Sequence, residues 1–163
     1  MLVEAEEIVF GPDQDIEKFV IDHIDSAEKE IYLMVFWLTW KPIADALLRA
    51  HLRNVRLRIL LDRRSFEEKL IDKHPIKEVN VPEYVVSSGL QKKCLKRYDG
   101  ELLHHKIVLI DGNKILTGTC NFFNASLTRH EEHYMLLESF DLYNVFKSRF
   151  EFLWENRAAD LEG

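Results

Sequence analysis

The stretch IYLMVFWLTWKPIADALLRAHLRNVRLRILLD, residues 31–62, holds two apolar runs around a helical pattern. Its first run, Ile31 to Leu38, is continuous rather than alternating, which suits a strand covered on both faces. Pro42 then stands where a first helical residue should, and Ile43, Ala46, Leu47, Ala50 and Leu52 continue a helix. Asn54 ends that helix in a position tolerant of left-handed backbone, and Val55 to Asp62 follows as a second strand. Strand, helix and strand in this order predict parallel pairing through a right-handed crossover. The expected fold class is α/β, a mixed β-sheet flanked by helices on both faces.

The flanking sequence extends this pattern. Upstream, Ile16, Phe19, Val20, Ile24 and Ala27 are helically spaced behind Gly11-Pro12-Asp13, where Asp13 or its neighbour can cap. Downstream, Ser65 with Glu68 forms a capping box that predicts a short helix to about Lys73, stopped by Pro75. Residues 76–100 read as strands and loops, with β-like pieces around Val79 to Val86 and Leu95 to Tyr98 separated by Ser87-Ser88-Gly89. Tyr134 to Leu137 reads as a buried strand. A last helix begins after Ser139 and carries Leu142, Phe146, Phe150 and Leu153 on one stripe beside Trp154, a core pattern rather than a cofactor box.

The totals fit one domain over residues 1–163. The chain is 47% hydrophobic and 31% charged, with 6 Gly and 4 Pro, a balance that excludes disordered and fibrous classes. At this length roughly 68–70% of the unfolded surface is hidden on folding, so no staple is needed. Cys94 and Cys120 are too few for a disulfide framework and read as free thiols in a reducing compartment. The start MLVEAEEIVF carries acids where a signal peptide needs positive charge, and the longest apolar run, Ile31 to Trp40, is about half a membrane span. A cytoplasmic protein without stable membrane association is expected.

The formal charge of −6, from 28 acids against 22 Lys and Arg, means that no global basic field advertises a polyanion partner. Such a partner has to be met locally. Lys92, Lys93, Lys96 and Arg97, with Arg63 and Arg64 earlier, are candidates for a substrate-binding patch; the alternative is a solvated loop and strand edge.

The segment from Leu102 to Asn121 holds two more apolar runs separated by Asp111-Gly112-Asn113, which is hairpin chemistry. With Gly112-Asn113 as a two-residue loop, Ile110 faces Ile115, Val108 faces Thr117, Lys106 faces Thr119 and His104 faces Asn121. All of these project from one face of the ribbon. One end of that face then gathers an imidazole, an ammonium, a hydroxyl and a carboxamide, while Ile107 and Leu109 on the other face read as core and His105 points away. Such a polar cluster is costly to bury unless it binds something, and phosphate is the natural ligand; the alternative is a hairpin edge whose polar residues are merely solvated. Lys supplies charge, Asn and Thr supply donors, and His can attack phosphorus or protonate a leaving oxygen.

His104-x-Lys106, four residues, Asp111, six residues, then Gly118-Thr119-x-Asn121 resembles the HKD signature of the phospholipase D superfamily, HxK, x4, D, x6, G, S or T, x, N. All six positions match. Glu132 stands where the small nuclease members place a carboxylate, and the resemblance extends over about residues 5–155. Thr119 replaces the commoner Ser, and Phe123 stands where the nucleases often have Thr, which bears on substrate preference. The resemblance implies a phospholipase D-like fold and a phosphodiesterase that needs no cofactor or metal. His104 of one copy would attack phosphorus, and His104 of a second would protonate the leaving oxygen. Lys106 and Asn121 would hold phosphate oxygens with help from Thr119, Glu132 would orient the His104 ring, and Asp111 and Gly118 would be structural.

The family's chemistry needs two such motifs, and none of the other histidines begins one. A homodimer with a two-fold axis through the site is therefore expected. A nuclease acting on DNA or RNA is the first reading, with Phe123 and the Lys92 to Arg97 cluster as substrate contacts and a separate specificity partner allowed for. A phospholipid hydrolase is the second, since Phe122 and Phe123 could form a lipid-facing lip or simply be core. An inactive phosphate-binding or dimerisation module is the third. His130-Glu-Glu-His133 lacks the spacing of a zinc protease, and neither a P-loop nor a GxSxG elbow is present.

Overall fold

The computed structural model describes residues 3–66 and 77–162. The elements run β1 (Glu4–Gly11), α1 (Ile16–Asp25), β2 (Glu30–Val35), α2 (Lys41–Leu52), β3 (Arg56–Asp62), α3 (Val81–Ser87), β4 (Leu95–Tyr98), β5 (Lys106–Ile110), β6 (Lys114–Gly118), α4 (Asn124–Thr128), β7 (Glu132–Glu138), α5 (Phe140–Asn156) and β8 (Ala158–Asp160). The strands form one sheet in the order β1-β7-β6-β5-β2-β3-β4-β8. β2, β3 and β4 are parallel and the remaining pairs antiparallel, so the sheet is mixed as expected.

The unbroken apolarity of β2 has a direct cause. Ile31, Leu33 and Val35 enter a core covered by α1, α2 and α3, while Tyr32 and Met34 enter a second core under α5. The α5 stripe supplies the second core with Phe150, Leu153 and Trp154, and Phe150 is fully buried. Each such side chain contributes about 1.5–3 kcal/mol by leaving water. The last helix starts and α2 ends where the sequence placed them, while the cap of α1 is Asp15, two residues beyond the expected Asp13. Asp15 accepts from the Lys18 N–H at 2.8 Å, Ser139 accepts from the Leu142 N–H at 3.2 Å, and Asn54 is left-handed with φ 64°.

Several expectations are corrected. β2 ends at Val35 rather than Leu38, because the Phe36 N–H turns to the His105 carbonyl at 3.0 Å and the Leu38 N–H to Ser65 Oγ at 3.3 Å. The Val79 to Val86 piece is largely helix rather than strand. Asn80 caps α3 by accepting from the Glu83 N–H, and Pro82 lies in its first turn, so cap chemistry overrides the β-branched valines. Ser65 lies inside a 3-10 turn over Arg63–Phe66, and the rest of the helix expected to Lys73 lies outside the described residues. Strands β1 and β8 at the sheet edges had no sequence counterpart.

The hairpin register also differs by one residue. Ile107 faces Thr117, Val108 faces Leu116, Leu109 faces Ile115 and Ile110 faces Lys114, so Asp111, Gly112 and Asn113 all belong to the turn. Asp111 and Gly112 take positive φ, 55° and 93°, the backbone that matches strand twist in a tight hairpin. The Asp111 carboxylate pins the turn by accepting from the N–H groups of Glu28, Lys29 and Glu30 at 2.8–3.0 Å. Both faces of this ribbon are core, since Val108 and Ile110 enter the first cluster and Ile107 and Leu109 the second.

Candidate active site

With the corrected register, the motif residues do not converge along one ribbon face. They meet where β5 begins and β6 ends, beside the carboxyl ends of the parallel strands. Lys106 opens β5 opposite Val35, the last residue of β2. His104 precedes it on the surface, with its ring 5.4 Å from the ring of Phe36. Lys106 Nζ donates to the His104 carbonyl at 2.9 Å, and the Tyr134 hydroxyl donates to the Lys106 carbonyl at 2.9 Å. Burial pushes the Lys106 ammonium below its ordinary pKa, against the pull of the Glu132 carboxylate. His105 is half-buried, and burial lowers its pKa with help from Arg149, Lys106 and His104.

Gly118 ends β6 where the chain must touch β7. A Cβ there would lie 2.1 Å from the His133 carbonyl oxygen and 2.8 Å from Tyr134 Cα. Thr119 follows, exposed, exchanging two bonds with His133: its N–H donates to the His133 carbonyl at 3.0 Å, and its Oγ1 accepts the His133 N–H at 3.1 Å. Asn121 lies in the loop beyond. Its backbone N–H donates to Ser126 Oγ at 2.9 Å, and its buried Oδ1 has no hydrogen-bond partner among the described residues. A carboxamide left short of a partner is suited to a ligand's donor or, with the amide turned over, to a phosphate oxygen.

Glu132 begins β7 with its side chain mostly buried. It accepts from Ser126 Oγ at 2.9 Å and lies 3.9 Å from His130 Nδ1, and no hydrogen bond joins it to the His104 ring. Phe123 is buried, its ring edge-on to Trp37 at 5.8 Å and to His130 at 6.0 Å. Phe122 is core.

The basic cluster is divided by the sheet. Lys92 and Lys93 precede β4 at the end of the sheet away from His104. Lys96 bonds the Trp154 carbonyl at 3.3 Å and Asp160 at 3.2 Å, while Arg97 shares a cross-strand row with Leu61, Val35 and Lys106 and lies 3.9 Å from Asp99. Among the described residues no hydrogen bond or ion pair joins any of the four to His104, Lys106 or Asn121.

Some supporting residues escaped the sequence reading. Asp62, fully buried at the end of β3, accepts from the Arg64 N–H and guanidinium at 3.0 and 2.8 Å and from the Leu103 N–H at 2.8 Å, tying the His104 loop to the sheet. A charged residue directly after the apolar run Ile59-Leu60-Leu61 was the available signal. Phe36 and Trp37, taken for strand, instead form a half-exposed ledge beside His104, with Arg64 5.7 Å above the Phe36 ring. Among the described residues no group of three or more His, Cys, Asp or Glu could hold a metal ion, and His130 and His133 pack on different neighbours, Phe123 and Phe10.

The family model described as "Cardiolipin synthase, PLD-like domain" matches residues 20–154. The chain belongs to the phospholipase D superfamily. A "Phospholipase D" of Rickettsia felis is 29% identical over 150 residues, 92% of this chain and 68% of that protein. Among solved structures, Nuc of Salmonella typhimurium, a phospholipase D family member, superposes with a TM-score of 0.82 at 23% identity over 99% of this chain and 100% of its own. NucT of Helicobacter pylori gives 0.73 at 16% identity over 98% and 100%. At those identities the structural likeness establishes the phospholipase D-like fold. Superfamily membership places the chain among phosphodiesterases.

Proposed function

We propose that this chain is a metal-independent nuclease that cleaves DNA or RNA diesters through a covalent phosphohistidine on His104, in a site completed by a second copy of the chain. His104 nitrogen attacks phosphorus and the P–O bond to the leaving group breaks. The His104 ring of the second copy gives its proton to the departing oxygen. Water then attacks the phosphohistidine while the now neutral ring of the second copy takes its proton, the P–N bond breaks, and the phosphate monoester leaves with both imidazoles restored. Lys106 and Asn121 hold the non-bridging oxygens, and Thr119 acts at the rim through the geometry it imposes on His133. A single exposed histidine with one ammonium and one carboxamide is half of that machinery, which is the argument for the homodimer. Exposed Leu102 beside the His104 groove, with Arg149 stacked on exposed Phe152, supplies apolar surface for the contact.

The observation that carries the choice of nucleic acid is a continuous series of rings leading away from the nucleophile. His104, Phe36, Trp37, Phe123 and His130 follow one another at centroid distances of 5.4, 5.0, 5.8 and 6.0 Å. The half-exposed Phe36 and Trp37, with the Arg64 guanidinium beside them, form a stacking ledge of the kind that receives bases of a single strand. A phospholipid diester is the second reading, favoured by the name of the Rickettsia relative and the description of the family model.

Both readings meet in one experiment. End-labelled single- and double-stranded oligonucleotides and phospholipid vesicles are incubated in excess EDTA with the wild-type chain and with His104→Ala. Oligonucleotide cleavage that disappears in the variant is the expected result. Lipid hydrolysis alone would replace the nuclease with the second reading, and cutting by both proteins alike would remove the assignment of His104.

A further inference from the structure

A cavity of about 530 Å³ lies at the end of the sheet opposite His104, where β3 begins. It wraps that end from the α2–β3 turn to the 3-10 turn before β4, and its walls include His51, Arg56, Arg58, Lys93, Cys94 and Trp154. Among the described residues no Asp or Glu lines it. In a chain with 28 acids and 22 basic side chains, three cations sharing one concave surface without an acid is an arrangement against the overall charge.

The cations are also held open. The Arg58 guanidinium lies against aromatic faces, 5.5 Å from the Trp154 ring centroid and 5.9 Å from that of Tyr32. Its position is therefore set by packing, with no carboxylate within ion-pair distance among the described residues. Lys93 likewise has no such carboxylate there. Arg56 meets Glu30 only at 3.8 Å and keeps a side chain 68% exposed. The field of the pair is felt inside the cavity, since Lys93 and Arg58 both pull down a Cys94 thiol that burial pushes up.

We infer that this cavity is a second binding site, separate from the catalytic one, for a phosphate-bearing ligand whose oxyanions are held by Arg56, Arg58 and Lys93. Arg58 offers the planar fork that fits phosphate oxygens, and Lys93 and Arg56 add charge from the two sides of the opening. The Trp154 ring is already packed against Phe150, stacked at 5.5 Å, and against Arg58 and Lys96, whose ammonium sits 5.1 Å from the ring, so the site recognises phosphate rather than stacking a base. The volume is within the roughly 300–1,000 Å³ usual for ligand sites and exceeds what one phosphate fills. Phosphate oxyanions reach such a site either on a small soluble molecule or along a polynucleotide backbone.

The test is an NMR titration of the isotope-labelled full chain with inorganic pyrophosphate and, separately, with a short single-stranded oligonucleotide, following the signals of Arg56, Lys93 and Trp154. The same titrations are run on an Arg56→Gln, Lys93→Glu double variant, whose spectrum also reports that it is folded. Saturable shifts with pyrophosphate, weakened on the order of tenfold in the variant as loss of a charge-assisted contact requires, support the site with a small phosphorylated ligand. Shifts of these residues with the oligonucleotide alone, weakened in the same way, support it with a nucleic-acid backbone as the source. No saturable shift with either probe, or equal affinity in the variant, overturns the inference. Binding alone is read, so failure here is distinguishable from failure of the diesterase proposal.

Discussion

Ser126 Oγ donates to Glu132 Oε1 at 2.9 Å while accepting the Asn121 backbone N–H at the same distance. One buried hydroxyl therefore fixes the loop that carries the motif carboxamide against the carboxylate at the start of β7. Ser126→Ala leaves that N–H and that oxygen short of a partner at a cost of about 1–3 kcal/mol. The expected outcome is a lower unfolding midpoint together with a kcat reduced on the order of tenfold, since Asn121 loses its anchor. Steady-state kinetics beside urea unfolding check it; a stability loss with unchanged kcat would make Ser126 a purely structural residue.

The proposed role of Lys106 in holding a phosphate oxygen predicts a pH dependence of turnover. Burial holds its ammonium below the ordinary lysine value, and only the charged form can hold a phosphate oxygen. Activity is therefore expected to fall as pH rises through that lowered pKa, an alkaline limb below 10.5. Lys106→Arg keeps the charge throughout, so the limb should move to higher pH while kcat drops from the altered geometry. A rate profile with an unmoved limb would assign the titration to another group.

Asp111 links the hairpin turn to acid stability. Burial raises its pKa, but the N–H groups of Glu28, Glu30 and Lys29 more than reverse this and hold it below 3.8. A folded pKa below the unfolded one stabilises the fold above about 3.8, and that contribution is lost as pH falls through the folded value. Asp111→Asn should cost about 1–2 kcal/mol near neutral pH, the modest figure reflecting a turn in contact with water. The gap between variant and wild type should narrow in acid, as chemical denaturation at a series of pH values will show.

How much of this was legible beforehand depended on whether the signal was local. The crossover from Ile31 to Asp62, the start of the last helix after Ser139 and all six motif positions could be read because each is set by neighbours a few residues away. The hairpin register could not, because the position of the turn is decided by three N–H groups some eighty residues upstream, which bind Asp111. Strand β1 was missed since its Ile8 and Phe10 are exposed among acids at a sheet edge, so burial left no alternation to read. Lys92 to Arg97 read as one patch, yet a 3-10 turn and a strand send its members to different ends and faces of the sheet. The ring ledge of Phe36 and Trp37 had no signal at all beyond strand-like apolarity.

Cys120 offers a probe of site closure. It is fully buried beside Ser126, and its thiol is pushed up to about 12 chiefly by burial. The thiolate is the reactive form, so Cys120 should resist thiol reagents in the folded chain and react only when it unfolds. Mass spectrometry of alkylated peptides with and without denaturant would detect this, and rapid native labelling would mean that the Asn121 loop opens.

The proposed homodimer makes a quantitative demand on mixed assemblies. If each site needs the His104 ring of both copies, a dimer with one His104→Ala subunit is dead at its shared site. Wild type and variant refolded together in equal amounts should then retain about a quarter of the activity of the same total amount of wild type, the share of dimers with two intact rings under random two-fold pairing. If each subunit acts alone, half survives. Activity measured across a series of mixing ratios separates the two cases, because the first follows the square of the wild-type fraction and the second follows it linearly. A linear response would confine the whole reaction to one chain, and then a second proton donor must be sought among the groups already beside His104, with half-buried His105 the first to test.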